Sequence, residues 1–452
     1  MLGSMPGPHP SLETYVERRA RIARSLAAES GALLLFGGAL QTRANDTEFR
    51  FRPDSDFHYL CGLSEPDSVM VLKASNDTEN PHMTLFVRPR DRDAEIWSGR
   101  RIGPEGARER YGASEAYPIG ELDERLPDLL DGCETVYLPL GRWPTLDAAL
   151  GRATRSLRRN NRDGRTPPLR YGEAADLVGE DRVVKDTPAL ASLRKAIEIS
   201  AAGHVAAMRQ AKPGMWEYQI EALLEYEFRR RGSSGPGYGS IVGSGDNATI
   251  LHYVDNCDRL GDNEVLLIDA GAEWDYFSGD ITRSWPVNGR FTPEQRAVYE
   301  VVLASNLAGI ERAQIGESID AIHDTCVKVL CEGMVELGLL EGTADEVREQ
   351  GSYRRFYMHR TSHWLGVDVH DAGRYTLGGE PRPFAPGHVL TIEPGLYIAA
   401  DTPDVPEGFR GLGIRIEDDV LITPEGPEVL TSGAPKAIDE LEAIIGSEAS
   451  GD

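Results

Sequence analysis

Apolar positions recur along the chain with two periods, and the switches between them mark out the elements. Leu12 to Ala28 carries its apolar residues on one helical face, and Ala32 to Phe36 is an unbroken apolar run of strand length. Val69–Leu72 and Met83–Val87 are two more strand runs. Between the first and second strands, Asn45 to Gly62 is polar and aromatic and is broken by Pro53. After Val87 the segment RPRDRDAEIWSGRRIG is expected to be a highly charged loop carrying Trp97. Helix and strand signals alternate to about Val178, so residues 1–180 are expected to form one α/β domain. The basic loop Asn160–Pro168 lies inside it as a solvated surface.

A second domain is expected over residues 181–452. Thr187 before Pro188 reads as an N-cap followed by proline at N1, and Leu190, Leu193, Ile197 and Met208 follow near helical spacing. Pro213-Gly214 interrupts, and a second helix carries Ile220, Leu223, Leu224 and Phe228. The pattern then returns. Thr292-Pro293-Glu294-Gln295 is a capping box with proline at N1, followed by Val298, Val301, Val302 and Leu307. Gly316-Glu317-Ser318 interrupts, and another helix runs from Ile319 towards Leu337. Each helix pair precedes β-rich sequence. The fold class is therefore α/β (α+β), with a second domain of two helix–turn–helix–sheet copies packed as a pseudo-symmetric sandwich around a groove. Residues 1 to about 10 and the tail after about Ile445 are expected to lack order.

Composition narrows the function classes. With 73 acidic against 48 basic side chains, the net charge is −25, which argues against nucleic acid or an anionic membrane as a partner. No run is long and apolar enough to span a bilayer, and the start MLGSMPGPHP has no secretory pattern. The five cysteines, Cys61, Cys133, Cys257, Cys326 and Cys331, form no CxxC and suit free thiols in a reducing compartment, so a cytoplasmic location is expected.

The candidate chemistry starts at Glu264–Ser284, EVLLIDAGAEWDYFSGDITRS. The apolar run Val265–Ile268 ends on Asp269, and a second strand is expected to return through Tyr276 and Phe277 to Asp280, with Thr282 on the same face. Buried carboxylates need a cation or a proton, which points to a metal. Three later stretches add candidates. YMHRTSHWLGVDVHDAG holds His359, His363 and His370. VLTIEPGLYI sets Glu393 in an apolar strand. GIRIEDDV places Arg415 and Glu417 on one strand face, with Ile414 and Ile416 on the other. HEXXH is absent, so a helical zinc site is not expected. Four carboxylates and one imidazole beside apolar strands suit Mn²⁺, Mg²⁺, Co²⁺ or Fe²⁺ better than a thiolate-bound zinc, and are enough for a pair of ions.

With these motifs in view the chain resembles the aminopeptidase P (Xaa-Pro aminopeptidase) family of pita-bread metallopeptidases over nearly its whole length. The carrying stretches are LLIDAGAEWDYFSGDITRSWPVNG, SHWLGVDVHD, LTIEPGLYI, GIRIEDDVLIT, FRPDSDFHYLCG and RPRDRDAEIWSGRRIGPEGA. The glycines of GPGYGSIVGSGDN do not fit G-x-G-x-x-G and read as loop.

The resemblance implies a creatinase-like, non-catalytic first domain and a catalytic pita-bread second domain. It also implies a homodimer or homotetramer and two divalent ions, manganese foremost. Asp269 would bind one ion, Asp280 and Glu417 would bridge both, and His363 and Glu393 would bind the other, with a bridging hydroxide as nucleophile and Glu393 as proton shuttle. His252 and His370 would hold the scissile carbonyl and the oxyanion. His359 would line the proline pocket, Arg415 would pair with Asp269 and reach Asp56, Tyr397 would add a hydroxyl, and Trp97 would close the substrate cleft. Arg360 departs from the glycine or small residue expected beside His359. The implied activity is release of an N-terminal residue before proline. The rivals are a prolidase restricted to dipeptides and a non-catalytic binding module on the same fold.

Overall fold

The strand Gly31–Phe36 is buried along its whole length because it runs through the middle of a six-stranded mixed sheet. The sheet order is Glu115–Pro118, His82–Val87, Val69–Lys73, Gly31–Phe36, Thr135–Leu138, Arg170–Glu173. Gly31–Phe36 and Val69–Lys73 pair antiparallel, and Thr135–Leu138 lies parallel to Gly31–Phe36. Ala32, Leu34 and Phe36 share a core with Leu126, Leu146, Leu150 and Leu157, which brings two helices onto one face. The helix Leu12–Ala28 carries the buried Arg18 and Arg19, whose guanidinium groups donate to the Tyr59 and Leu60 carbonyls.

This computed structural model describes residues 10–73, 77, 79 and 81–447. The ends expected to lack order fall largely on residues 1–9 and 448–452, outside the described residues. The chain divides into two units, Met1–Arg182 and Val183–Asp452. Among the described residues no helix is long and apolar enough to cross a membrane.

In the second unit the helix pair Thr187–Gln210 and Glu217–Arg230 is followed by an antiparallel sheet of Ile241–Ser244, Val265–Asp269 and Thr282–Pro286. The pair Pro293–Arg312 and Ile319–Glu336 is followed by Val389–Ile392, Asp418–Thr423 and Gly426–Val429, again antiparallel. The Thr292 capping box forms as its sequence indicates. Ile319, Ile322 and Cys326 pack on Leu390, Ile392, Val420 and Ile422, so the second helix pair covers the second sheet.

Several local expectations change. Asp186, not Thr187, caps the long helix, because its carboxylate accepts the Ala189 N–H while Thr187 has already entered the helix. Trp97 sits on a short helix, Arg92–Ser98, which Asp91 caps; a charge-rich segment becomes helical once its first N–H groups have an acceptor. The hairpin expected after Asp269 forms in one register: Asp269 pairs with Thr282, the Ala270 N–H bonds the Ile281 carbonyl, the Gly279 N–H bonds the Ala272 carbonyl, and Glu273 pairs with Ser278. Ala272–Trp274 and Phe277–Ser278 form its tight end, turned by Asp275 and Tyr276 at φ 51° and 65°. On its other side Asp269 pairs with Ile241. Glu393 lies not within a strand but between two, Val389–Ile392 and Gly395–Ile398, which belong to different sheets. Pro394 has no N–H for a ladder, so the chain leaves one sheet and enters the other at this point.

Candidate metal centre

Two carboxylates eleven positions apart meet because the hairpin returns Asp280 two positions before Thr282, the residue paired with Asp269, and two glycines let its strands approach closely. A Cβ on Gly271 would fall 1.7 Å from the Gly279 carbonyl oxygen, so no side chain fits there. The returning strand sets Asp280 beside Asp269. The Tyr238 hydroxyl joins them, 2.7 Å from Asp269 Oδ1 and 2.5 Å from Asp280 Oδ1. One O–H can donate to only one of them at a time, which draws the two carboxylates into a shared hydrogen bond. Tyr238 was invisible in the sequence, where its segment reads as glycine-rich loop. The available signal is its flanking by Gly237 and Gly239: a Cβ on Gly237 would lie 2.2 Å from Ser278 Oγ.

His363 is oriented by its own chain. Its Nδ1 lies 2.9 Å from the Trp364 carbonyl, which can only accept, so Nδ1 carries a hydrogen and Nε2 is the nitrogen turned to the carboxylates. Nε2 lies 3.4 Å from Asp280 Oδ2 and 3.7 Å from Glu393 Oε1. Burial lowers the affinity of His363 for a second proton, but the Asp280 contact and the Glu393 and Asp280 charges outweigh it and lift the imidazole to about 9. Glu417 completes the group, with Oε2 accepting the Thr282 hydroxyl at 2.7 Å.

Asp280, His363 and Glu417 each offer one ligand atom, all within 4.8 Å of one another. Burial, with neighbouring carboxylate charge, drives Glu417 well above the usual range and Glu393 up to about 7; Asp280 is raised chiefly by burial. Nearby carboxylates that resist ionising together are relieved by a divalent cation. An oxygen-rich donor set with one imidazole fits hard divalent ions.

Arg415 is 4% exposed and spends its donors on the acid side of this group: Asp269 Oδ2 at 2.6 Å, Thr282 Oγ1 at 3.1 Å and Tyr397 Oη at 3.0 Å. Asp56, the other partner expected for Arg415, is instead bonded by Arg182 at 2.7 Å within the first unit. Tyr397 in turn lies 2.8 Å from His359 Nε2, while His359 Nδ1 faces the Arg360 carbonyl at 2.7 Å. The carbonyl requires a hydrogen on Nδ1, so Tyr397 donates to Nε2. Burial, helped by the Arg415 charge, pulls His359 down to about 3 and keeps it neutral.

Asp269, Asp280, His359, His363, Glu393, Arg415 and Glu417 line one cleft of about 750 Å³, together with Tyr238, the exposed His252 and His370, Arg360 and Tyr375. Tyr397, expected to meet substrate, is buried and is not among the lining residues. The His370 ring lies 4.4 Å from that of His363. A buried ion pair, Lys185–Asp371 at 2.9 Å, pins the loop that carries both rings, and sequence pattern had not marked it. Behind Glu393, whose N–H bonds the Thr361 carbonyl, the Thr361 hydroxyl meets His323 and Tyr357. Trp97 is 90% exposed in the first unit, next to the exposed Ile96.

Residues 191–424 match the model of metallopeptidase family M24, and residues 15–137 match that of the aminopeptidase P N-terminal domain. The Xaa-Pro aminopeptidase of Escherichia coli is 42% identical over 435 residues, which cover 96% of this chain and 98% of that one. Among solved structures, the Pseudomonas aeruginosa aminopeptidase PepP is similar with a TM-score of 0.95 and 42% identity, covering 98% of this chain and 99% of that one. The zinc-substituted Escherichia coli aminopeptidase P in complex with product follows with a TM-score of 0.94 and 41% identity, covering 98% and 100%.

Proposed function

The chain belongs to metallopeptidase family M24, and on that premise we propose that it is a dinuclear metal-dependent Xaa-Pro aminopeptidase, releasing the N-terminal residue from peptides with proline in second position. The observation that carries this reading is the convergence of Asp269, Asp280, His363, Glu393 and Glu417 on one cleft. These five residues would hold two divalent ions, manganese foremost. When bound, such a pair supplies a water acidified towards neutral pH and polarises the scissile carbonyl.

The chain's own residues do the rest. Asp280 and Glu417 would be shared between the two ions, Asp269, held by Arg415, would complete one site, and His363 and Glu393 would complete the other. Glu393 has one oxygen towards His363 and the other towards His359, so its second oxygen is placed to take a proton and pass it to the leaving prolyl nitrogen. That nitrogen is tertiary and has no hydrogen, so cleavage needs a donor at this point. His252 and His370 on the cleft wall hold the carbonyl and the charge that develops on its oxygen. His359, kept neutral and fixed by Tyr397, offers its ring to the proline.

The exposed Ile96–Trp97 pair supports a contact between subunits in a homodimer or homotetramer, where Trp97 would close a cleft. The first unit is read as non-catalytic, and the cytoplasm as the location.

The test is hydrolysis of the tripeptide Ala-Pro-Leu by the Mn²⁺-supplemented protein, with metal analysis of the same sample. Release of alanine is expected. Cleavage confined to Xaa-Pro dipeptides would make the protein a prolidase. A protein with neither bound metal nor activity would be a binding module.

A further inference from the structure

The cleft holds two arginines, and they are in opposite conditions. Arg415 is buried, and its Nε, Nη1 and Nη2 are all engaged by protein oxygens. Arg360 is 61% exposed, and among the described residues its guanidinium has one hydrogen-bond partner, Asp320, reached through Nη2. Among the described residues Nε and Nη1 donate to no protein group. Asp320 stands in the first turn of the helix Ile319–Glu336 and is itself half exposed, at 50%. An ion pair this open is weakly held, so its arginine can take a second carboxylate at small cost.

Position gives this cation its use. Arg360 follows His359, whose Nδ1 lies 3.6 Å from Glu393 Oε2, and it lines the cleft with Ile319 and Tyr375. On the functional reading above, which this inference rests on, the peptide leaves past Glu393 and His359. Whatever follows the proline then meets Arg360. The protein as a whole carries a charge of −25 and repels anionic peptides at long range, so any preference for them must be built locally.

We propose that Arg360 is a specificity residue that reads a carboxylate just beyond the proline, by forked N–H donation from Nη1 and from Nη2, the nitrogen now turned to Asp320. The carboxylate is either the C-terminus of a tripeptide or an acidic side chain in a longer one. Asp320 competes for the same guanidinium and holds the preference down.

The experiment compares kcat/KM for Ala-Pro-Leu and its C-terminal amide, and for amidated pentapeptides with Glu or Gln in third position. It uses the Mn²⁺-loaded wild type, Arg360→Ala, Arg360→Lys and Asp320→Asn. The acid-to-neutral ratio within each variant is the readout, so a general loss of activity cancels. A ratio of roughly fivefold is expected in the wild type, carried by KM. It should fall to about one in Arg360→Ala, survive in part in Arg360→Lys, and rise roughly twofold in Asp320→Asn. Inhibition by Pro-Leu against Pro-Leu amide should show the same ratios by binding alone. A response from the tripeptide pair assigns the C-terminus, and a response from the Glu/Gln pair assigns the side chain. Ratios near one for both pairs, or a ratio that Arg360→Ala leaves unchanged, overturn the proposal. A wild type that cleaves none of these peptides overturns the peptidase reading and this one with it.

Discussion

Glu417 and Asp418 are neighbours in the chain, both almost fully buried, and they lie in opposite electrostatic surroundings. Asp418 faces away from the cleft into two cations, with Arg283 Nη2 at 2.8 Å and Lys436 Nζ at 2.5 Å, and takes the Thr431 hydroxyl at 2.6 Å. Burial alone would raise it, but the Arg283 and Lys436 charges overturn that and hold it far below the usual carboxylate range. Glu417 faces Asp280, Glu393 and Asp269, with Arg415 as the near cation, and is driven up. Equal burial therefore does not decide whether a carboxylate is ionised; the origin of the counter-charge does. In the Asp418 cluster the chain supplies more positive than negative charge. In the cleft it supplies less, and the difference is what a bound cation provides.

The largest effect expected is on the cleft side. Glu393→Gln keeps shape and removes charge and proton affinity, so kcat/KM should fall by roughly 10³- to 10⁴-fold while the urea midpoint holds or rises. Near-normal turnover in that variant would remove Glu393 from the chemistry. On the other side, Asp418→Ala should leave the active-site geometry in place but cost about 3 kcal/mol in urea unfolding, because Arg283 and Lys436 become buried charges without a partner. The pH dependence has a definite sign. A carboxylate depressed by folding contributes fully above its unfolded value of about 4 and loses that contribution as pH falls further. Wild type should thus lose stability steeply on acidification and Asp418→Ala more shallowly; equal slopes would deny the cluster its role. The smallest effect expected is that of Tyr238→Phe. Removing the hydroxyl shared by Asp269 and Asp280 should weaken Mn²⁺ binding roughly tenfold in a titration, with folding unchanged. Unaltered affinity would mean that the hairpin, with its close approach at Gly271 and Gly279, holds the two acids by itself.

The sequence by itself determined the helix pairs, the strand runs and the stretches that supply candidate ligands. Caps, prolines and apolar periods act over four or five residues, so Thr292, Pro213 and Val265–Ile268 announce themselves without help from the rest of the chain. Tertiary structure decided what depends on distant neighbours. Nothing local tells Glu417 from Asp418, because Arg283 and Lys436 come from elsewhere in the chain. Nothing local shows that Glu393 stands between two sheets or that Tyr238 ties two aspartates. Charge and register are settled by which segments meet, and that meeting exists only after the chain has packed.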